Sequence, residues 1–447
     1  MNNIDPKNQY FLPDDAPLRM TLQDEVHARP AARIRMPALV VCVAVLNAGI
    51  SREQELEHLR QLAGQADLQL DALKNNFLRL RLQSCTLKWE RHTEFTRYSI
   101  VQGLPSVAHP SRQAATSELQ LTQYLTIPRD WLRRIPGQTI AAIMLTMVEA
   151  DLSKPDQLLA QSQAWFDGGT VLVSQIGLAK SWVATQLQVG ADGFEHILVM
   201  SPPGTTEART GRISTRLIEM EIYRLMALQG LPAAKALGGF LSECEKTLVE
   251  ITTEMASKSA SDEHLLDTLV SLAAKVEQAT AAHSYRFAAT QAYAALVNQR
   301  IMELHEQPAV GIELIGHYLQ HRLSPAIATA AATERRLQEL SERIFRTSAL
   351  LRTRVDIATE QQSRQLLERL TRGQELQLRL QATVEGLSIA AISYYVVSLL
   401  LYVGKAAKGF GLPINPEIAA GLSIPLVIWL VWLGTQRVRR AISPVQP

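Results

Sequence analysis

Between residues 35 and 204 the hydrophobic positions switch between strand-like and helical spacing. ALVVCVAVLN (38–47) is continuously apolar, which predicts a strand covered on both faces. SREQELEHLRQLAGQ (51–65) sets Leu56, Leu59 and Leu62 at helical spacing behind Ser51, whose hydroxyl suits the N-cap of a helix. FLRLRLQS (77–84), TLKWER (86–91) and EFTRYSIV (94–101) alternate apolar and polar residues and predict half-buried antiparallel strands. QTIAAIMLTMVEA (138–150) predicts another buried strand. WVATQLQVG (182–190) and FEHILVM (194–200) flank Ala191-Asp192-Gly193, where Asp-Gly favours a hairpin turn. These elements predict an α/β sandwich with a mixed sheet.

After Pro202-Pro203-Gly204 the strand signal ends. ISTRLIEMEIYRLMALQ (213–229) is amphipathic, with Ile213, Leu217, Met220, Arg224 and Leu228 along one side, and Gly230-Leu231-Pro232 stops it. Helical spacing continues to about residue 306, breaks at Gln307-Pro308, resumes, and breaks again at Ser324-Pro325, so 205–325 reads as an antiparallel helical region. From Ala326 to residue 385 the pattern predicts a stalk helix. Leu337, Leu340, Ile344, Leu351, Val355 and Ala358 follow three/four spacing, and Leu366 and Leu370 extend the stripe between faces dense in Arg, Glu and Gln. Continued to Val403, such a helix would be about 117 Å long at a rise of about 1.5 Å per residue.

Two runs without an ionisable side chain follow, GLSIAAISYYVVSLLLYVG (386–404) and IAAGLSIPLVIWLVWLGT (418–435). Each has about the 18–20 residues that cross a hydrocarbon core of roughly 30 Å. The fold class expected is therefore an α+β and α-helical membrane protein: a cytoplasmic α/β sandwich at 35–204, a long helical stalk, and two C-terminal transmembrane helices at 386–404 and 418–436. Arg364, Arg369, Arg372 and Arg379 precede the first run, and a basic tail at 437–447 with Arg437, Arg439 and Arg440 follows the second, whereas the 405–417 loop carries only Lys405 and Lys408 as cations. The positive-inside rule then puts both termini in the cytoplasm and the loop outside. Pro425 reads as a tolerated kink. Trp429 and Trp432 with the three arginines suit an interfacial anchor, or in a symmetric assembly a positive collar around a pore.

A net charge of +2 gives no case for nucleic acid as a partner. Cys42, Cys85 and Cys244 lack CxxC spacing and read as small buried hydrophobes in a reducing compartment. Residues 1–34 are polar, predict no secretory leader, and hold a short helix with Leu18, Leu22 and Val26 spaced by four. Asp24, Glu25, His27 and Arg29 cluster there, either as an acid/base or ligand site or as a polar cluster fixing the helix against the sheet. Glu313, His317 and His321 recur every four residues, a spacing that can offer one metal ion a carboxylate and two imidazoles, and equally describes a solvated helix face. Beyond a divalent cation at that row, no cofactor is indicated. No HExxH, P-loop, GxGxxG after a strand or GxSxG elbow occurs, so the chain is not read as an enzyme.

In the first apolar run Ser388, Ala391, Tyr395, Ser398 and Tyr402 are spaced by three and four, a small-and-polar stripe on an aliphatic helix. Hydroxyls near a bilayer centre need partners, so the stripe is expected to face protein or a pore, with Tyr402 alternatively an interfacial anchor. EVHARP at Glu25–Pro30, with the overall plan, resembles a family of uncharacterised membrane-anchored bacterial proteins. The plan over roughly 35–440 is also similar to the CorA-like magnesium transporters. That resemblance implies a homo-oligomer, a pentamer, in the bacterial inner membrane, with the first span lining an ion path and the cytoplasmic domain acting as sensor. Where that family carries Gly-Met-Asn at the outer end of the first span, this chain reads Gly404-Lys405-Ala406-Ala407-Lys408, which would repel Mg²⁺. The alternative is a membrane-anchored scaffold that transports nothing, whose α/β domain and stalk bind partners and whose apolar hairpin is only an anchor.

Overall fold

The computed structural model describes residues 16–20, 22, 32–104, 118–309, 311–409 and 415–442. The chain divides into two compact units, Met1–Ser257 with Asp267–Arg346, and Lys258–Leu266 with Thr347–Pro447.

The first unit is built on an eight-stranded sheet: β1 (Ala38–Leu46), β2 (Phe77–Arg81), β3 (Cys85–Arg91), β4 (Phe95–Gly103), β5 (Gln138–Glu149), β6 (Leu172–Ile176), β7 (Ser181–Val189) and β8 (Glu195–Ser201). Its spatial order is β2-β3-β4-β1-β5-β8-β7-β6. All neighbouring pairs run antiparallel except β5 and β8, which are parallel with Ile143 opposite Glu195 and Glu149 opposite Ser201. The continuous apolar run of β1 is buried on both faces, as its pattern predicts. β6, read as no element from the sequence, pairs with β7 at the sheet edge.

One face of the sheet, with Leu39, Val41, Trp89, Tyr98 and Met144, is covered by helix α1 (Arg52–Arg60), the short α2 (Arg129–Arg133) and α3 (Pro155–Trp165). Ser51 caps α1 as its spacing predicts, in a capping box with Gln54, worth about 1 kcal/mol. The other face, with Val40, Cys42, Ile143, Leu145 and Val199, lies under α4 (Glu207–Leu228), from which Leu217, Met220 and Ile222 enter the core. α5 (Gly230–Ser257), α6 (Asp262–Leu304) and α7 (Ile315–Gly409) follow, and Val297 of α6 and Leu319 of α7 join the same core. Each fully buried aliphatic side chain contributes about 1.5–3 kcal/mol. Segment 32–34 crosses α4 so closely that a Cβ on Gly211 would stand 1.6 Å from the Ala32 carbonyl oxygen; only glycine permits that crossing.

Two expectations need correction. β4 is not half-buried: only Val101 and Gly103 are not fully enclosed, because its polar face carries an ion-pair network beneath α4. The helix also does not break at Ser324-Pro325, since α7 runs through Pro325. An interior proline costs roughly 3 kcal/mol, but Leu319, Leu323, Ala326 and Ala330 are buried around it, and His321, whose carbonyl loses its partner, is exposed to solvent.

In the second unit α7 continues from Thr347 to Gly409. Leu351 is buried and Arg354 pairs with Asp262 at 3.1 Å, but from Asp356 to Val384 every residue is exposed. The stripe expected to pack along the stalk is thus enclosed at Leu337, Leu340, Ile344 and Leu351 and bare at Ala358, Leu366 and Leu370. The end of α7 and the following helix α8 (Pro416–Ile442) are both long and apolar enough to cross a membrane.

Candidate functional site

Where α7 and α8 meet, Ser393 is buried, Ile389 and Val397 are half-buried, and Gly404 comes so near Pro416 that a Cβ would lie 3.3 Å from the proline Cβ. Ser393, Val397, Ile424 and Ile428 together line a shallow apolar groove between the helices. At about 100° per residue, Ser388, Ala391, Tyr395, Ser398 and Tyr402 all fall within about 40° of the direction opposite Ser393. The stripe therefore shares one face, turned away from α8. Tyr395 and Tyr402 are each 68% exposed. The Ser388 hydroxyl donates back to the Val384 carbonyl at 2.8 Å, and no hydrogen bond of Tyr395, Ser398 or Tyr402 side chains to another described residue is present. At the end of the helix, the Lys405 ammonium lies 6.0 Å from the centre of the Tyr402 ring, and Lys408 is exposed one turn on. α7 continues through both lysines to Gly409, so the connection that reaches α8 is shorter than the 405–417 loop expected.

The other candidates fare differently. Asp24, Glu25, His27 and Arg29 lie outside the described residues. Glu313, His317 and His321 do stand side by side, exposed: His317 Nδ1 meets Glu313 at 2.9 Å and His317 Nε2 meets His321 Nε2 at 3.1 Å. Both nitrogens of the central ring are thus directed at its neighbours, and the three do not converge on one point. Among the described residues no three His, Cys, Asp or Glu side chains form a metal-binding group. The three cysteines are buried and form no disulfide; burial pushes the Cys42 thiol up to about 11.

Between the sheet and the helices runs a chain of ion pairs. Glu90 of β3 takes the ammonium of Lys88 at 2.8 Å and the guanidinium of Arg97 through Nε at 2.7 Å and Nη2. Arg97 also faces Glu219 of α4 at 3.5 Å; Glu219 binds Arg300 at 2.7 Å, and Glu303 joins Arg300 and Arg216. Burial alone would raise the Glu90 carboxyl, but Arg97 and Lys88 outweigh it and hold it down to about 2. A second buried group sets Glu195 and Glu221 on one cation, Arg224, at 3.2 and 2.6 Å. There burial, then the neighbouring Glu221 charge, push Glu195 well above the usual carboxylate range, although Arg224 opposes both.

The family described as "Protein of unknown function (DUF3422)" matches residues 14–442. The chain belongs to this family. No curated protein matches it. The DUF3422 match takes in both the mixed sheet and the two apolar helices, so both are parts of the family's common extent rather than a fusion of one to another. The polar residues of the DUF3422 sheet, Lys88, Glu90 and Arg97, escaped the sequence reading because alternation marks their face as solvated. The one local signal was charge of opposite sign at facing strand positions, Glu90 and Arg97, which become visible only once β3 and β4 are paired in register.

Proposed function

We propose that this chain is the subunit of a homo-oligomeric protein of the bacterial inner membrane. Both termini are cytoplasmic, α7 and α8 span the bilayer, and the stripe from Ser388 to Tyr402 lines an ion path with the sheet unit as its cytoplasmic sensor. The observation that carries this reading is the stripe's orientation, opposite the α8 contact and unpartnered at three hydroxyls. In hydrocarbon, unpartnered hydroxyls cost several kcal/mol on the harshest transfer scales, so a second copy or a water-filled path is the environment that accommodates them. The bare surface of α7 from Asp356 to Val384 supports assembly, since an exposed helix of this length gains most of its stability from packing against other helices.

Purified protein in lipid vesicles tests the ion path. Ser398→Leu fills it with an aliphatic side chain that the membrane tolerates, so ion flux is expected to fall by about tenfold or more with assembly size unchanged. Lys405→Asn and Lys408→Asn should raise cation flux by removing positive charge at the outer mouth. Absence of flux of Mg²⁺, other divalent cations, K⁺ and Cl⁻ from wild-type vesicles rejects the path. The second reading, a membrane-anchored scaffold, is favoured by those same lysines, which stand where a cation conductor of the CorA-like kind carries Met-Asn.

A further inference from the structure

A cavity of about 50 Å³ lies in the first unit between α4, segment 32–34 and strands β2 to β4. Four cationic side chains line it, Arg33, Arg79, Lys88 and Arg97, and no carboxylate does. Behind that lining, Glu90 holds Lys88 and Arg97, while Glu219 is divided between Arg97 and Arg300. Arg97 is therefore fully engaged, and its charge forms the floor. Lys88 has one carboxylate partner for its three donors. Arg33 and Arg79 are exposed at the mouth and make no ion pair with another described residue. Hydroxyls of Thr86 from the sheet and of Ser214 and Thr215 from α4 also line the cavity, and among the described residues none of them has a hydrogen-bond partner. The lining is thus rich in donors that approach from two sides, with a net positive charge that the buried carboxylates leave uncompensated. Burial holds Lys88 below its ordinary value, with Arg97 adding to the effect, although Glu90 opposes both.

We infer that this cavity binds a phosphate group, held by Lys88 and the Thr86, Ser214 and Thr215 hydroxyls inside and by Arg33 and Arg79 at the mouth. A tetrahedral oxyanion offers acceptors in several directions, which matches donors arriving from strand and helix together, and guanidinium forks suit it particularly well. The interior has room for one such group. The shared chemistry is thus a terminal phosphate, either free inorganic phosphate or a phosphate monoester. The site lies wholly in the sheet unit and stands whether or not the apolar helices conduct ions.

The full-length protein in detergent at low ionic strength is titrated calorimetrically with inorganic phosphate, adenosine monophosphate, and acetate as a planar control. Saturable phosphate binding is expected in the micromolar to low millimolar range, with acetate at least about tenfold weaker. Adenosine monophosphate binding more tightly than phosphate assigns a monoester as the ligand, and equal or weaker binding assigns free phosphate. Arg79→Ala removes an exposed side chain with no ion pair, so folding is unaffected, and should weaken phosphate about tenfold. Lys88→Met should abolish binding. Lys246→Ala, on the exposed surface of α5, should leave binding unchanged. No heat with phosphate up to about 10 mM, equal affinity for acetate, or wild-type affinity in Arg79→Ala would each overturn the assignment.

Discussion

Both ring nitrogens of His58 are buried and have no hydrogen-bond partner among the described residues. The ring stacks on Trp131 with centroids 4.2 Å apart and meets the edge of Tyr98 at 6.0 Å. A proton on such a ring would be unsolvated, so burial, helped by the Arg134 charge, lowers its pKa to about 4 from the ordinary 6.5. The unfolded chain therefore binds the extra proton between those values. His58 contributes its full stability above pH 6.5 and loses it as pH falls, on the order of 3 kcal/mol by pH 4. Melting of detergent-purified protein, followed by tryptophan fluorescence from pH 7 to 4, should show a steeper decline for the native sequence than for His58→Phe. Parallel declines would mean the ring is solvated. Glu90, held down to about 2 from 4.5, loses its contribution as pH falls between those values, so the two windows overlap only near pH 4. Neither residue was legible as buried. His58 sits on an amphipathic helix whose leucines alone signal a core face, and Glu55 beside it is equally enclosed, paired with Arg91 at 2.7 Å and accepting from Thr96 at 2.6 Å. Those partners lie about forty positions away, beyond the reach of a periodicity argument.

Along α7 one stripe of apolar residues passes from enclosed to bare. Leu340 and Ile344 are buried, and replacing both by Asp removes about 1.5–3 kcal/mol of burial at each site and adds two unpaired carboxylates. The melting temperature in detergent should drop sharply or the cooperative transition vanish. Leu366→Asp with Leu370→Asp touches only exposed positions, each 61% accessible, so the single chain should melt as before while the proposed oligomer dissociates. Unchanged size for that second pair would show that the bare stretch is not where copies meet. The three/four spacing was readable because a helix stripe is a local property. Which part of it the chain itself covers was not, since α5 and α6 approach only the earlier stretch: Arg336 reaches Glu245 of α5 at 2.6 Å, and Glu334 accepts from Gln291 of α6 at 2.6 Å. The persistence of the helix through Pro325 has the same origin, a packing gain that local propensity cannot register.

For the molecule as a whole, sidedness is the property most open to test. The proposed orientation, with both termini cytoplasmic, sends Asn415, exposed at the start of α8, outward. Asn415→Cys should react with an impermeant maleimide in intact cells, and the buried Cys42, Cys85 and Cys244 should add little background. Labelling confined to permeabilised cells would reverse the orientation. The two apolar helices were plain in the sequence because length and freedom from charge are both properties of a continuous run, needing no distant partner to be seen. The mixed sheet was legible as strands and not as an order of strands, for β1 lies between β4 and β5, far from its sequence neighbour β2. That order has a mechanical consequence. β8, β7 and β6 form a local antiparallel meander whose only ladder to the other five strands is the parallel seam with β5. Parallel ladders are the weaker kind per residue, and this one joins strands separated by the whole of α3, β6 and β7. Within the sheet the meander therefore parts from the other five strands along a single line, while outside it β6 is tied to the segment before α7 by the Gln175–Gln307 bridge, so the two ties must release together before this unit opens with its own ladder intact.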